Sequence, residues 1–142
     1  MIRGIEHVGL SVTNLERSIA FYRDVIGFTV MKIIECPPEM RLGDVVGLPG
    51  CRARIAHLRS DMGMLELFEY QDPNGRPIPR DRSQADAGFS HVGIASTDVQ
   101  ADYQLLRSAG VKFLHEPIEF RPKVWIAYFL GPDSEVCEIR QS

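Results

Sequence analysis

The chain has 142 residues, 44% of them hydrophobic and 25% charged, which is enough for one ordinary domain with a real core. A formal net charge of −3 excludes a broad electrostatic pull toward nucleic acid, and the small basic group at Arg76, Arg80 and Arg82 reads as a solvated linker. No stretch approaches the roughly 18 uncharged apolar residues of a membrane span, and Arg3 and Glu6 interrupt any signal-like apolar run near the N-terminus.

The first element is a strand. Val8, Leu10 and Val12 fall on one face, and His7, Gly9 and Ser11 on the other. A helix follows. Thr13 and Glu16 form a capping box, Leu15, Ile19, Tyr22 and Ile26 form an apolar stripe, and Gly27 ends it. Strands are expected near 28–36, 52–60 and 63–70. Pro37 to Gly50 reads either as a short helix or flap over a site, or as a surface loop. The Pro- and Gly-rich run from Asp72 to Arg80 has linker chemistry.

Then the chain repeats itself. Gly4-Ile5-Glu6-His7-Val8-Gly9 returns as Gly88-Phe89-Ser90-His91-Val92-Gly93, and Thr13 returns as Thr97. Val92 and Ile94 face one way, and His91, Gly93 and Ala95 the other. Thr97 and Gln100 cap a second helix with the stripe Val99, Tyr103 and Leu106, ended by Gly110. Strands are expected near 111–116, 123–130 and 135–140. Each copy therefore reads as βαβββ. The fold class is α+β: a single domain over 1–142, with module one at about 1–70, a linker at about 71–87 and module two at about 88–142.

Each copy closes on a strand with one carboxylate among apolar neighbours: Met64-Leu65-Glu66-Leu67-Phe68, then Val136-Cys137-Glu138-Ile139. Alternation groups Glu66 with Met64, Phe68 and Tyr70, and Glu138 with Val136 and Arg140. A lone histidine on a strand is usually structural. One histidine and one glutamate at equivalent places in both copies form a joint pattern, and that composition is a metal site: His7, Glu66, His91 and Glu138. Glu69 reads as exposed. His57 and His115 do not match by repeat, and read as structural or pocket-lining. Cys36, Cys51 and Cys137 form no Cys-x-x-Cys pair, so no disulfide framework or thiolate zinc site is expected, and a cytoplasmic location fits. Cys137 reads as a small buried thiol.

These stretches resemble the vicinal oxygen chelate superfamily, the group of glyoxalase I, methylmalonyl-CoA epimerase, extradiol dioxygenases and bleomycin or fosfomycin resistance proteins. The matching runs are His7 to Val12 with Leu15 to Tyr22 and Gly27-Phe28, Leu65-Glu66-Leu67, Ser90 to Ile94, and Gly131-Pro132-Asp133 leading to Glu138-Ile139. The resemblance implies two βαβββ modules forming a curved mixed-sheet cup, one divalent ion (Ni, Co, Zn, Mn or Fe) on His7, Glu66, His91 and Glu138, and a homodimer. It implies lyase or isomerase chemistry on a small-molecule substrate. A proton leaves the carbon next to a carbonyl through an enolate-type intermediate, with Glu138 as base and Glu66 its partner. Ser11 to Asn14 lack the arginine that glyoxalase I uses for glutathione, which argues against lactoylglutathione. Arg121 and Lys123 hold an anionic substrate group or are solvated loop charges. Two alternatives stand beside this reading. One is an Fe(II) extradiol-type dioxygenase using two His and one carboxylate. The other is a metal-free small-molecule binding or resistance protein walled by Phe68, Tyr70, Phe120, Trp125 and Tyr128.

Overall fold

A computed structural model describes residues 1–142, which divide into two compact units, Met1–Pro77 and Ile78–Ser142. In the first unit the order is β1 (His7–Ser11), α1 (Leu15–Ala20), β2 (Thr29–Cys36), α2 (Leu42–Val46), β3 (Arg52–Arg59) and β4 (Met64–Asp72). Its four-stranded sheet runs β1-β4-β3-β2, with β1 parallel to β4 and the other pairs antiparallel. In the second unit the order is β5 (Val92–Ala95), α3 (Val99–Ser108), β6 (Lys112–Phe113), β7 (Ile118–Arg121), β8 (Val124–Leu130) and β9 (Val136–Gln141). Its sheet runs β5-β9-β8-β6, again with the first pair parallel, and β7 also pairs with β8. The α+β class and the repeated module expected from sequence are what the chain forms.

Alternation sets the core. Val12, Leu65 and Leu67 lie on the helix side with Leu15, Ile19 and Tyr22 of the helical segment, together with Ala56 and Leu58 of β3. The apolar stripe therefore buries as its spacing dictates. Val99, Tyr103 and Leu106 of α3 are buried in the second unit, as are Ala127, Phe129, Cys137 and Ile139. Cys36 and Cys51 are buried free thiols like Cys137. Desolvation, followed by the nearby Cys51 and Glu35, raises the Cys36 thiol above its ordinary value.

Three expectations need correction. Each helix starts one residue later than the Thr13/Glu16 and Thr97/Gln100 capping boxes imply. Asn14 caps α1 by accepting from the Arg17 N–H at 2.9 Å, and Asp98 caps α3 by accepting from Ala101 at 3.0 Å. The first helix does not run uniformly to Gly27, because Phe21–Val25 is wound as a π-helix. The strand expected at 111–116 stops at Phe113 and resumes at Ile118, both pieces lying along β8. Pro117 stands in the gap and has no N–H to give the ladder. The segment 37–50 forms a short 3₁₀ turn at Pro38–Met40 and then α2.

One device ties each helix to its sheet. The Glu69 carboxylate accepts the Leu15 N–H at 2.9 Å, and the Gln141 side-chain oxygen accepts the Val99 N–H at 3.0 Å. These are the same position in the two copies: the end of the closing strand meets the free N–H groups at the start of the helix. Glu69 is thus half-buried rather than exposed as expected, and Arg54 stands 3.8 Å from it while bonding Glu16 and Glu35.

Two predictions follow from this packing. Leu67→Ala removes a fully buried core side chain and should cost about 2–5 kcal/mol, whereas Leu105→Ala, at a position 68% exposed, should change stability by less than about 0.5 kcal/mol. Glu69→Ala should cost about 1 kcal/mol through the lost helix-start acceptor, and Glu69→Gln less, because the amide oxygen still accepts. Urea denaturation of the variants beside the parent checks both.

Candidate metal-binding site

The parallel registers position the site residues. In the first unit Gly9 on β1 is the partner of Glu66 on β4. In the second, Gly93 on β5 is the partner of Glu138 on β9. A strand presents alternate residues on one face, so His7 shares the face of Gly9 and Glu66, and His91 that of Gly93 and Glu138. The structure brings His7 Nε2 to 3.3 Å from the Glu66 carboxylate, and His91 Nε2 to 3.5 Å from that of Glu138. The carboxylates are nearly buried, with side chains 12% and 13% exposed.

The other ring nitrogen is occupied in both copies. Glu6 bonds His7 Nδ1, and Ser90 Oγ lies 2.9 Å from His91 Nδ1. Both partners are the residue just before the histidine. A held Nδ1 fixes the ring and turns Nε2 toward the carboxylate. The Glu6 hydrogen bond, and then the charge of Glu66, raise the His7 pKa above the ordinary imidazole value against the opposing effect of burial.

The third strand adds a group that the sequence reading set aside. His57 on β3 is the cross-strand partner of Glu66, and its Nε2 lies 3.1 Å from that carboxylate. Tyr128 on β8 is the cross-strand partner of Glu138. Burial first, then the nearby Glu138 carboxylate, raise the Tyr128 phenol above its ordinary value. His57 and Tyr128 thus occupy the same sheet position in the two copies. His115 is elsewhere: its Nδ1 lies 2.7 Å from the Glu116 carbonyl, and its ring stacks obliquely near Tyr128.

Beyond Glu66, the site face of the first unit turns apolar. Cys36, Ala53 and Ile55 are buried there, with Ile34, Phe68 and Tyr70 around them, and Leu42 of α2 packs against this cluster. The segment 37–50 therefore covers the apolar end of that face. Trp125 does not join the site face of its unit. It pairs with Gln141, on the side opposite Tyr128 and Glu138, and lines an open cleft of about 570 Å³ with Ser96, Thr97, Glu119 and Lys123. Phe120 is 71% exposed.

The donor set fits a divalent cation. No three His, Cys, Asp or Glu side chains gather as a preformed metal cluster, so the unit on offer is one imidazole–carboxylate pair per half. Two ligand atoms each about 2.1 Å from one ion, at about 90–109°, lie about 3.0–3.4 Å apart; the His7–Glu66 pair at 3.3 Å falls within that span and the His91–Glu138 pair at 3.5 Å just beyond it. Neutral imidazole nitrogen with carboxylate oxygen suits several first-row ions.

Comparison with known proteins agrees with this architecture. The family model described as Glyoxalase/Bleomycin resistance protein/Dioxygenase superfamily matches residues 4–134. A 2-epi-5-epi-valiolone epimerase of Actinomyces sp. is 34% identical over 120 residues, covering 80% of this chain and 63% of the relative. A probable chloroplastic lactoylglutathione lyase of Arabidopsis thaliana is 26% identical over 139 residues, covering 96% of this chain and 35% of the longer relative. The crystal structure of a glyoxalase family protein from Bacillus cereus superposes with a TM-score of 0.87 at 19% identity, covering 99% of this chain and 94% of the other. That likeness shows the fold, and the fold is the one the resemblance implied. With its repeated βαβββ modules and a family match along nearly its whole length, the chain belongs to the glyoxalase/bleomycin resistance protein/dioxygenase superfamily.

Proposed function

We propose that this protein is a divalent-metal-dependent lyase or isomerase that moves a proton on the carbon beside a carbonyl, with His7, Glu66, His91 and Glu138 as the ion's ligands. One observation carries the reading: both halves set an imidazole with its Nδ1 already held against a nearly buried carboxylate, at the same sheet position. Two isolated structural histidines have no reason to share that arrangement. When bound, the ion would polarise a substrate carbonyl and stabilise the negative charge that grows on its oxygen.

The remaining work falls to the chain's own groups. A carboxylate removes the proton from the carbon next to the carbonyl and returns it. Delivery of a proton to the opposite face of the same carbon, by the partner carboxylate Glu66, is epimerisation, and return by the same carboxylate to the neighbouring carbon is isomerisation. Glu138 is assigned as the base. Its partner across the strands is the neutral phenol of Tyr128, whereas Glu66 has an imidazole near each oxygen. Glu138 therefore has one imidazole at its oxygens where Glu66 has two, which leaves it more open to a substrate carbon. Phe68 and Tyr70, half-buried on the face of Glu66, supply an apolar wall for the part of the substrate that does not react. Among the relatives, one is named an epimerase and one a probable lyase, which supports this reaction class.

Elemental analysis after reloading with divalent ions should find about one ion per chain in the parent. His91→Ala and Glu138→Gln should each hold the ion at least about 10-fold more weakly. Glu138→Gln should also slow solvent-deuterium incorporation into a 2-oxo acid, acyl thioester or hemithioacetal substrate by about 100-fold or more. A parent that takes up no ion after reloading would sink this function.

A further inference from the structure

The proposed ligands leave His57 without a role, although it lies as close to Glu66 as His7 does. Its place is set by backbone pairing. His57 on β3 stands opposite Glu66 on β4, and its own other neighbour in the sheet is Lys32 on β2. The side chain is 15% exposed, against 40% for His7. The two imidazoles divide the carboxylate between them: His57 Nε2 lies 3.1 Å from Oε1, and His7 Nε2 lies 3.3 Å from Oε2.

We propose that His57 is a positioning residue that holds Glu66 Oε1 through its Nε2–H, so that Oε2 alone is presented beside His7 as the ligand atom. The inference rests on the metal-dependent reading above. Its physical logic has two parts. A carboxylate oxygen and an unprotonated ring nitrogen are both acceptors, so the 3.1 Å approach of His57 serves as a hydrogen bond only in the tautomer with the proton on Nε2. A nitrogen that carries a proton is not a metal ligand, which separates His57 from His7, whose proton-bearing side faces Glu6. Second, a carboxylate free to swing must be ordered when it binds an ion, and a fixed one has lost that freedom already. The second half sets Tyr128, a neutral hydroxyl, at the equivalent position.

The test uses Co(II) as probe on the full chain. Affinity is measured by chelator competition, ligand geometry by the visible absorption band, and folding by thermal melting. His57→Leu fills the space and removes the donor. It should still bind one ion, with affinity lowered about 10- to 100-fold and the band altered. His57→Gln restores a donor and should recover most of both. In the metal-free parent, nitrogen NMR of the histidines should show His57 as the Nε2–H tautomer. An Nδ1–H tautomer, or a His57→Leu variant with parental affinity and band, would overturn the role of His57 while leaving the ion site standing. Loss of the ion altogether in His57→Leu would make His57 a ligand and overturn the proposal from the other side. A parent that takes up no Co(II) would remove the function and this inference together.

Discussion

A carboxylate set into a nearly closed sheet face is the constraint on which the rest of the structure depends. An unpartnered buried carboxylate costs several kcal/mol, roughly, so a fold that keeps one there must bring partners to it. The parallel pairs β1/β4 and β5/β9 do this by register. They set a glycine directly beside each glutamate and a histidine two residues before that glycine. The glycine matters because a Cβ at Gly93 would already stand 3.6 Å from the Glu138 Oε2, and any longer side chain would cover the oxygen. Parallel neighbours cannot be joined by a tight turn. The helix and the intervening strands, β2 and β3 in the first unit and β6 to β8 in the second, are what the chain needs to return β4 to β1 and β9 to β5.

The two halves show which parts of the module answer to that constraint and which are free. The parallel ladder is extended in the same way in both, by Val12 N–H to the Phe68 carbonyl and Ser96 N–H to the Arg140 carbonyl, each at 2.8 Å. Each helix start is met by an oxygen from the closing strand, a carboxylate in one half and an amide in the other. Each Nδ1 is held by the preceding residue, again with different chemistry, Glu6 or Ser90. The geometry of acceptance recurs while the identity of the group drifts. Away from these points the halves diverge. The first gains α2 and an apolar cluster over its site face, and the second breaks its edge strand at Pro117.

The repeat made the architecture legible. His7 with Gly9 and His91 with Gly93 marked the parallel strands, and the stripe Leu15, Ile19, Tyr22 fixed which side the helix covers. Within each half the pairing of histidine with glutamate was also readable, because period-2 alternation places both on one face. What resisted was register between strands that are distant in sequence. His57 and Tyr128 share no local motif, and only the antiparallel pairing of β3 with β4 and of β8 with β9 shows that they occupy one position. Glu6 and Ser90 were in view, each adjoining its histidine, but unlike residues at matched places give no repeat signal. Glu69 was misread because a charged residue near a strand end looks solvated until the helix start above it is located.

The two faces of each sheet carry separate duties, and this separation explains why one fold tolerates relatives with names as different as epimerase and lyase. Stability comes from the helix side, where Leu15, Leu58, Leu67, Val99, Ala127 and Phe129 are fully buried. The site face contributes little to that packing near the glutamates, and its polar groups are satisfied chiefly by one another. A substitution there changes which groups hold a carboxylate without opening a cavity in the core. Function can therefore drift at the cross-strand position now taken by His57 and Tyr128 while the module stays folded. An internal duplication makes that drift especially informative, because each half is the control for the other. Where both keep the same pair, the pair answers a shared demand. Where one uses an imidazole and the other a phenol, the cross-strand position accepts either group while the carboxylate beside it stays.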